Sequence, residues 1–270
     1  MKNSQKENDS FVVFNNTKCM MLFDQSEHES YPIRYFNAIE MLPFIPSYSN
    51  SYYVYVYKGN AVLSSPTLGK INLKKGMYFS VSGDFNLRTD IEPYKAIIIE
   101  VMHNKGVYPA TNYSAVNTIG GPIEKKGRLN YIDGCTDSLL IPPVKMGDPC
   151  FNHLHFPEEI DQTPHTHPSH RIGIVAKGHG ECITPFGDLP LYEDMIFVIK
   201  EWDGVTSGVG LDGKTYPSGT HSFKTFDEPM DVIAFHPDSD FGATDINHPM
   251  INRTIVDGVS ANQIDDIRTK

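Results

Sequence analysis

The sequence is short of cysteine, of positive charge and of long apolar runs, and each shortage closes a class of function. Only four cysteines, Cys19, Cys135, Cys150 and Cys182, occur in 270 residues, and no two have CxxC spacing. A chain this long can bury enough surface to fold without staples, so reduced thiols and a cytoplasmic location are expected. Lysine and arginine number 23 against 33 aspartates and glutamates, a net charge of -10 with histidine neutral. Nucleic-acid binding needs clustered cations to neutralise phosphates, and no such cluster is present. No apolar stretch approaches the ~18–20 residues that span a bilayer, and the opening MKNSQKENDSF has no apolar core of a secretory signal. Helical periodicity is also scarce: Ser260–Arg268 is the one weak candidate.

What the chain does have is strand pattern. β-branched and aromatic runs recur between Gly, Pro, Asn and Asp punctuation at Tyr52–Tyr57, Ala61–Ser64, Met77–Val81, Ala96–Met102, Ile172–Ala176, Met195–Ile199 and Val232–Phe235. With 21 glycines and 19 prolines, this predicts an all-β sandwich or barrel. A weak internal repeat is also present. YYVYVYKGNAVL (Tyr52–Leu63) matches RIGIVAKGHGEC (Arg171–Cys182), and Ser82-Gly83 through Thr89 matches Ser218-Gly219 through Thr225. The growing offset corresponds to an extra loop, Glu201–Tyr216, in the second copy. Two β-domains are therefore expected, residues 1–125 and 126–270, joined near Gly120–Pro143.

Histidine is distributed unevenly. Only His28 and His103 precede residue 150, and the rest fall between His153 and His248, which places the chemistry in the second half. His165 and His167 are two apart in an extended segment, so both leave the same face, where neutral imidazoles can hold one divalent ion. Sequence order makes His221 the candidate third ligand, and Arg171 shares the odd-numbered face.

These residues resemble the paired motifs of the cupin superfamily. The family's first motif is HxH, three or four residues, Glu, six residues, Gly. Here His165, His167 and Gly178 fit it, while Arg171 stands where the Glu belongs. The second motif, PxGxxHxxxN, is similar to Pro217-Ser218-Gly219-Thr220-His221, one residue short, with Thr225 for the Asn. The resemblance implies a tandem of jelly-roll β-barrels (a bicupin), with one metal site at His165, His167 and His221. By the repeat register the first barrel carries Pro46, Tyr48 and Phe85 at those places, which implies a scaffold without metal.

A site of three histidines and no carboxylate leaves the ion's charge uncompensated and favours anionic co-ligands. Cupins of that type include iron(II) dioxygenases, so the resemblance implies an Fe(II)-dependent oxygenase acting on a small anionic substrate with O2. Arg171 would pair with a substrate carboxylate, or with Glu181, Glu193 or Asp194. His155, from the second HxH at Asn152-His153-Leu154-His155, and Tyr192 are candidates for acid–base or substrate contact; Glu201 is another possible base. His170 is an alternative ligand in the Glu's neighbourhood, and His236 is expected at a strand-end surface. The same histidines would serve Zn, Ni or Mn as a Lewis acid in an isomerase or lyase, or a non-catalytic ligand-binding protein. Jelly-roll edges also make a homodimer an expectation.

Overall fold

The computed structural model describes residues 6–14, 20–39, 46–47, 49–89, 93–103, 117–143 and 147–238, together with 255–256, 258–260 and 263. Tyr48, most of the expected helix Ser260–Arg268 and the tail beyond Asp238 as far as residue 254 lie outside them.

Strands dominate. The first stretch holds β1 (Lys6–Glu7), β2 (Phe11–Phe14), β3 (Met20–Gln25), β4 (Ile33–Ile39) and β5 (Asn50–Lys58). It continues with β6 (Asn60–Ser65), β7 (Gly69–Lys74), β8 (Tyr78–Ser82), β9 (Asn86–Arg88), β10 (Lys95–Met102) and β11 (Thr118–Gly120). After it come β12 (Leu129–Asn130), β13 (Thr136–Ile141), β14 (Cys150–Phe156), β15 (Arg171–Lys177), β16 (His179–Ile183) and β17 (Leu189–Tyr192). The chain goes on through β18 (Ile196–Ile199), β19 (Ser207–Val209), β20 (Thr215–Pro217), β21 (Ser222–Lys224) and β22 (Met230–His236) to a hairpin, β23 (Ile255–Val256) and β24 (Val259–Ser260).

Two sheet pairs repeat one topology. The first is β11-β8-β5-β10-β4-β3 faced by β7-β6-β9; the second is β1-β2-β18-β15-β22-β14-β13-β12 faced by β17-β16-β21. The order β8-β5-β10-β4-β3 recurs as β18-β15-β22-β14-β13, so the weak sequence repeat is a repeat of structure. The architecture is all-β jelly roll, built twice. The loop 201–216 adds the β19–β20 hairpin to the second copy.

The Lys-Gly turns show why the repeat has those landmarks. Gly59 and Gly178 have φ of +67° and +75°, and a Cβ on either would run into the carbonyl oxygen of Pro93 or Pro229. Only glycine tolerates both the left-handed backbone and the close approach.

Alternation along the strands sorts residues into three layers. Tyr52, Val54 and Val56 of β5 pack with Ala96, Ile98, Phe79 and Phe85 inside the first barrel. Leu154, Phe156, Val175, Phe197, Phe223, Val232 and Ala234 fill the second. The opposite faces, Tyr53, Tyr55, Tyr57, Ile97 and Ile99 on one sheet and Ile172, Ile174, Ile233 and Phe235 on the other, meet in a shared core. Both faces of each large sheet are thus buried, which explains the unbroken apolar runs in strands whose pairing is antiparallel. Two Tyr hydroxyls inside this layer are satisfied: Tyr35 donates to Gly173 O at 3.1 Å and Tyr57 to Asn37 Oδ1 at 2.7 Å.

The expected division at residue 125 needs one correction. β1 and β2 belong to the second sheet: β2 pairs with β18 from Phe11↔Ile199 to Phe14↔Ile196. Phe11 and Val13 complete the second barrel's core, whereas Val12 and Phe14 face the shared layer. An FVVF strand is apolar on both faces, and only a strand position buried on both sides accepts it.

Cys135, Cys150 and Cys182 are buried and form no disulfide among the described residues. No helix among the described residues is long and apolar enough to cross a membrane.

Candidate metal centre

The segment between β14 and β15 runs beside β21 and sets two of the three imidazoles. Backbone N–H groups of Glu159, Gln162 and His165 donate to the carbonyls of Phe226, Phe223 and His221 at 2.8, 3.0 and 2.9 Å. His167 is tied from the other side, its carbonyl accepting from Trp202 N at 2.8 Å.

The rings of His165, His167 and His221 converge. Their centroids are 4.5 Å apart for His165–His221, 5.0 Å for His165–His167 and 5.2 Å for His167–His221. One ligand nitrogen from each lies within 4.8 Å of the others. The tautomers follow from the neighbours. His165 Nδ1 meets Thr163 O at 2.9 Å and His221 Nδ1 meets Gly219 O at 2.8 Å. A carbonyl only accepts, so each Nδ1 carries the proton and each Nε2 keeps its lone pair. His221 Nε2 is buried with no hydrogen-bond partner.

Electrostatics keep the cluster neutral. Burial lowers the His165 ring, and burial with the nearby His165 and Arg171 charges takes His221 down to about 3. His167 is held far below its ordinary range, first by burial, then by Arg171, His221, His165 and His236. At neutral pH the three rings are free bases, which is the form that binds metal. An orphaned buried nitrogen beside two aligned imidazoles fits a divalent ion of the imidazole-favouring group.

Arg171 lines the same cavity, as the strand parity predicts. Its counter-charge is none of the three acids expected. It donates to the Asp238 carboxylate and to Ser169 Oγ, while Ser169 also donates to Asp238. No local pattern signals this pairing, because Asp238 follows β22 and reaches Arg171 only through the fold. Tyr131, Gln162 and His236 complete the polar lining, and the space for water-sized occupants is about 20 Å3. His236 is a correction: it is buried, not at the surface. Parity identifies it, since Val232 and Ala234 on the same face also line the cavity.

Two expected site residues lie elsewhere. His155 is on β14, where Leu154 and Phe156 face the metal cavity, so alternation turns His155 to the opposite face, against Asp231 at 2.8 Å. Tyr192 is 56% exposed at the end of β17, its ring 6.4 Å from that of His179. His170 does not join the triad. With His28 it holds Glu201, each at 3.0 Å. His28 Nδ1 accepts from Ser30 N and Tyr31 N at 3.1 and 2.9 Å, so its Nε2 carries the proton toward Glu201. That tautomer makes the second group a hydrogen-bonded clamp, not a ligand set, although its atoms also lie within 4.8 Å of one another. In the first half, Phe85 occupies the place of His221, with its ring 5.1 Å from Tyr52 and 5.6 Å from Phe79.

No family model matches the sequence, and no curated protein matches it significantly. Solved structures do. The chain is similar to protein Ylba from E. coli, at 12% identity and TM-score 0.57, over 90% of this chain and 96% of that one. It is similar to a salicylate 1,2-dioxygenase from Pseudaminobacter salicylatoxidans, at 8% identity and TM-score 0.54, covering 83% and 77%. It is also similar to a cupin 2 conserved barrel domain protein from Leptotrichia buccalis, at 14% identity and TM-score 0.50, covering 81% and 87%. Strand order, motif positions and these likenesses agree: the chain has the cupin fold.

Proposed function

We propose that the protein is a cytoplasmic, mononuclear iron(II) oxygenase acting on a small anion at the site of His165, His167 and His221. The observation that carries this reading is the ligand set itself: lone pairs of neutral imidazoles converge with no carboxylate among them. An ion held this way keeps its full charge and draws an anionic co-ligand, and iron(II) would supply open positions for that anion and for O2. The likeness in fold to a protein named as a dioxygenase supports the choice of chemistry. Arg171 is the substrate's charge partner, exchanging Asp238 for a substrate carboxylate. A cavity of about 20 Å3 limits the reacting group to a few atoms unless the Arg171–Asp238 pair opens.

Protein purified without added metal is expected to contain iron, bind nitric oxide and consume O2 with a small acid, thiol or enol. Stoichiometric metal with neither nitric oxide binding nor O2 uptake overturns it. The same small cavity favours a second reading, in which Zn, Ni or Mn acts as a Lewis acid on a carbonyl or carboxylate; those metals without O2 uptake would select it.

A further inference from the structure

A cleft of about 670 Å3 lies between the two halves, on the face of the second sheet turned away from the metal site. Small-molecule sites are ordinarily of about this size, ~300–1,000 Å3. Tyr55, Lys75 and Lys125 line it from the first half and the connecting segment; His155, Lys177 and Asp231 line it from the second. None of these residues serves the metal centre.

Its polar groups are ordered from beneath. Asp231 is buried, and its Oδ1 accepts from His153 Nε2 at 2.9 Å and His155 Nδ1 at 2.8 Å. Because a carboxylate only accepts, both of those nitrogens carry protons. The His155 ring is thereby fixed, and its Nε2 has no protein partner among the described residues. The cations around it are of two kinds. Lys75 is spent on Glu193 at 2.8 Å, and the cleft's Glu124 is taken by Arg128 at 3.2 Å. Lys125 and Lys177 are exposed and have no ion-pair partner among the described residues. Two uncommitted ammonium groups and one oriented ring nitrogen complement an anion that also carries a hydroxyl, which can donate or accept.

We propose that this cleft is a second ligand site, separate from the metal centre, for a hydroxylated phosphate or carboxylate whose anionic group meets Lys125 and Lys177 and whose hydroxyl bonds to His155 Nε2. Imidazole 15N spectra of the full-length protein, titrated with glycerol 3-phosphate and separately with malate, test it. At least one compound is expected to move the His155 ring signals saturably, and which one does so distinguishes phosphate from carboxylate. The Lys125→Met/Lys177→Met double variant changes only exposed side chains and is expected to bind about tenfold more weakly or worse. The proposal is overturned if neither compound moves His155, if the double variant binds like the wild type, or if the responding signals are those of His165, His167 and His221.

Discussion

His165 and His221 form a two-residue antiparallel bridge, each backbone N–H donating to the other's carbonyl, at 2.9 and 3.0 Å. Two of the three imidazoles are therefore positioned by the main chain, and the ligand spacing survives loss of either side chain. His165→Ala is expected to cost more metal affinity than the ~10–100-fold typical of lost supporting contacts. Its melting temperature in chelator should stay within a few °C of the wild type. His221→Ala should lose metal equally but also melt lower, because His221 is 1% exposed and its removal leaves a hole. Metal analysis and melting curves of both variants decide it.

Asp238 neutralises Arg171, a residue only 8% exposed, so Asp238→Ala leaves a buried charge unpaired. The variant is expected to melt several degrees lower, and millimolar formate should restore part of the loss by replacing the missing carboxylate. Melting curves with formate and with chloride as control test this. Equal curves would mean that Arg171 finds its counter-charge elsewhere.

Gly59→Ala and Gly178→Ala should each destabilise by on the order of 3 kcal/mol or more, since strained backbone and steric overlap add. Gly69 is the control: its φ is +75° but nothing lies within 4 Å of an added Cβ, so Gly69→Ala should cost only about 1–2 kcal/mol. Denaturant titrations of the three variants give the comparison.

Asp137 supplies a pH dependence. Burial pushes its carboxyl from 3.8 up to about 6, against the lowering effects of Asn152, the Ser138 amide and His153. The Asn152 amide donates to Asp137 Oδ2 at 2.7 Å, but Asp137 Oδ1 is buried with no donor. Folding therefore favours the protonated acid. That contribution is complete below about pH 4 and is lost as pH rises through about 6. Asp137→Asn should melt a few °C above the wild type at pH 7.5, with the gap closing toward pH 4.5.

Much of the fold could be read from the sequence because its evidence is local. The run Tyr52–Tyr57 lies within β5, and the Lys58-Gly59 and Lys177-Gly178 turns mark equivalent places in both copies. The HxH parity that groups His165 with His167 and Arg171 also holds. The same parity, carried along β14 from Leu154, would have turned His155 away from the metal cavity, and along β22 from Ala234 would have brought His236 in. Asp238 and the place of β2 were not legible, since both depend on partners far away in the chain, where pattern within a window carries no information.

The pairing of Phe11–Phe14 with Ile196–Ile199 also has a consequence in time. On a ribosome adding about 5–20 residues per second, β2 emerges roughly 10–40 s before its partner strand exists. Through that interval an FVVF segment, apolar on both faces, must avoid every other open strand edge in the cell. The first barrel can close meanwhile, because its two sheets use no strand beyond Gly120. The amino terminus is thus among the last pieces to be seated, and assembly of this part of the molecule runs against the order of its synthesis.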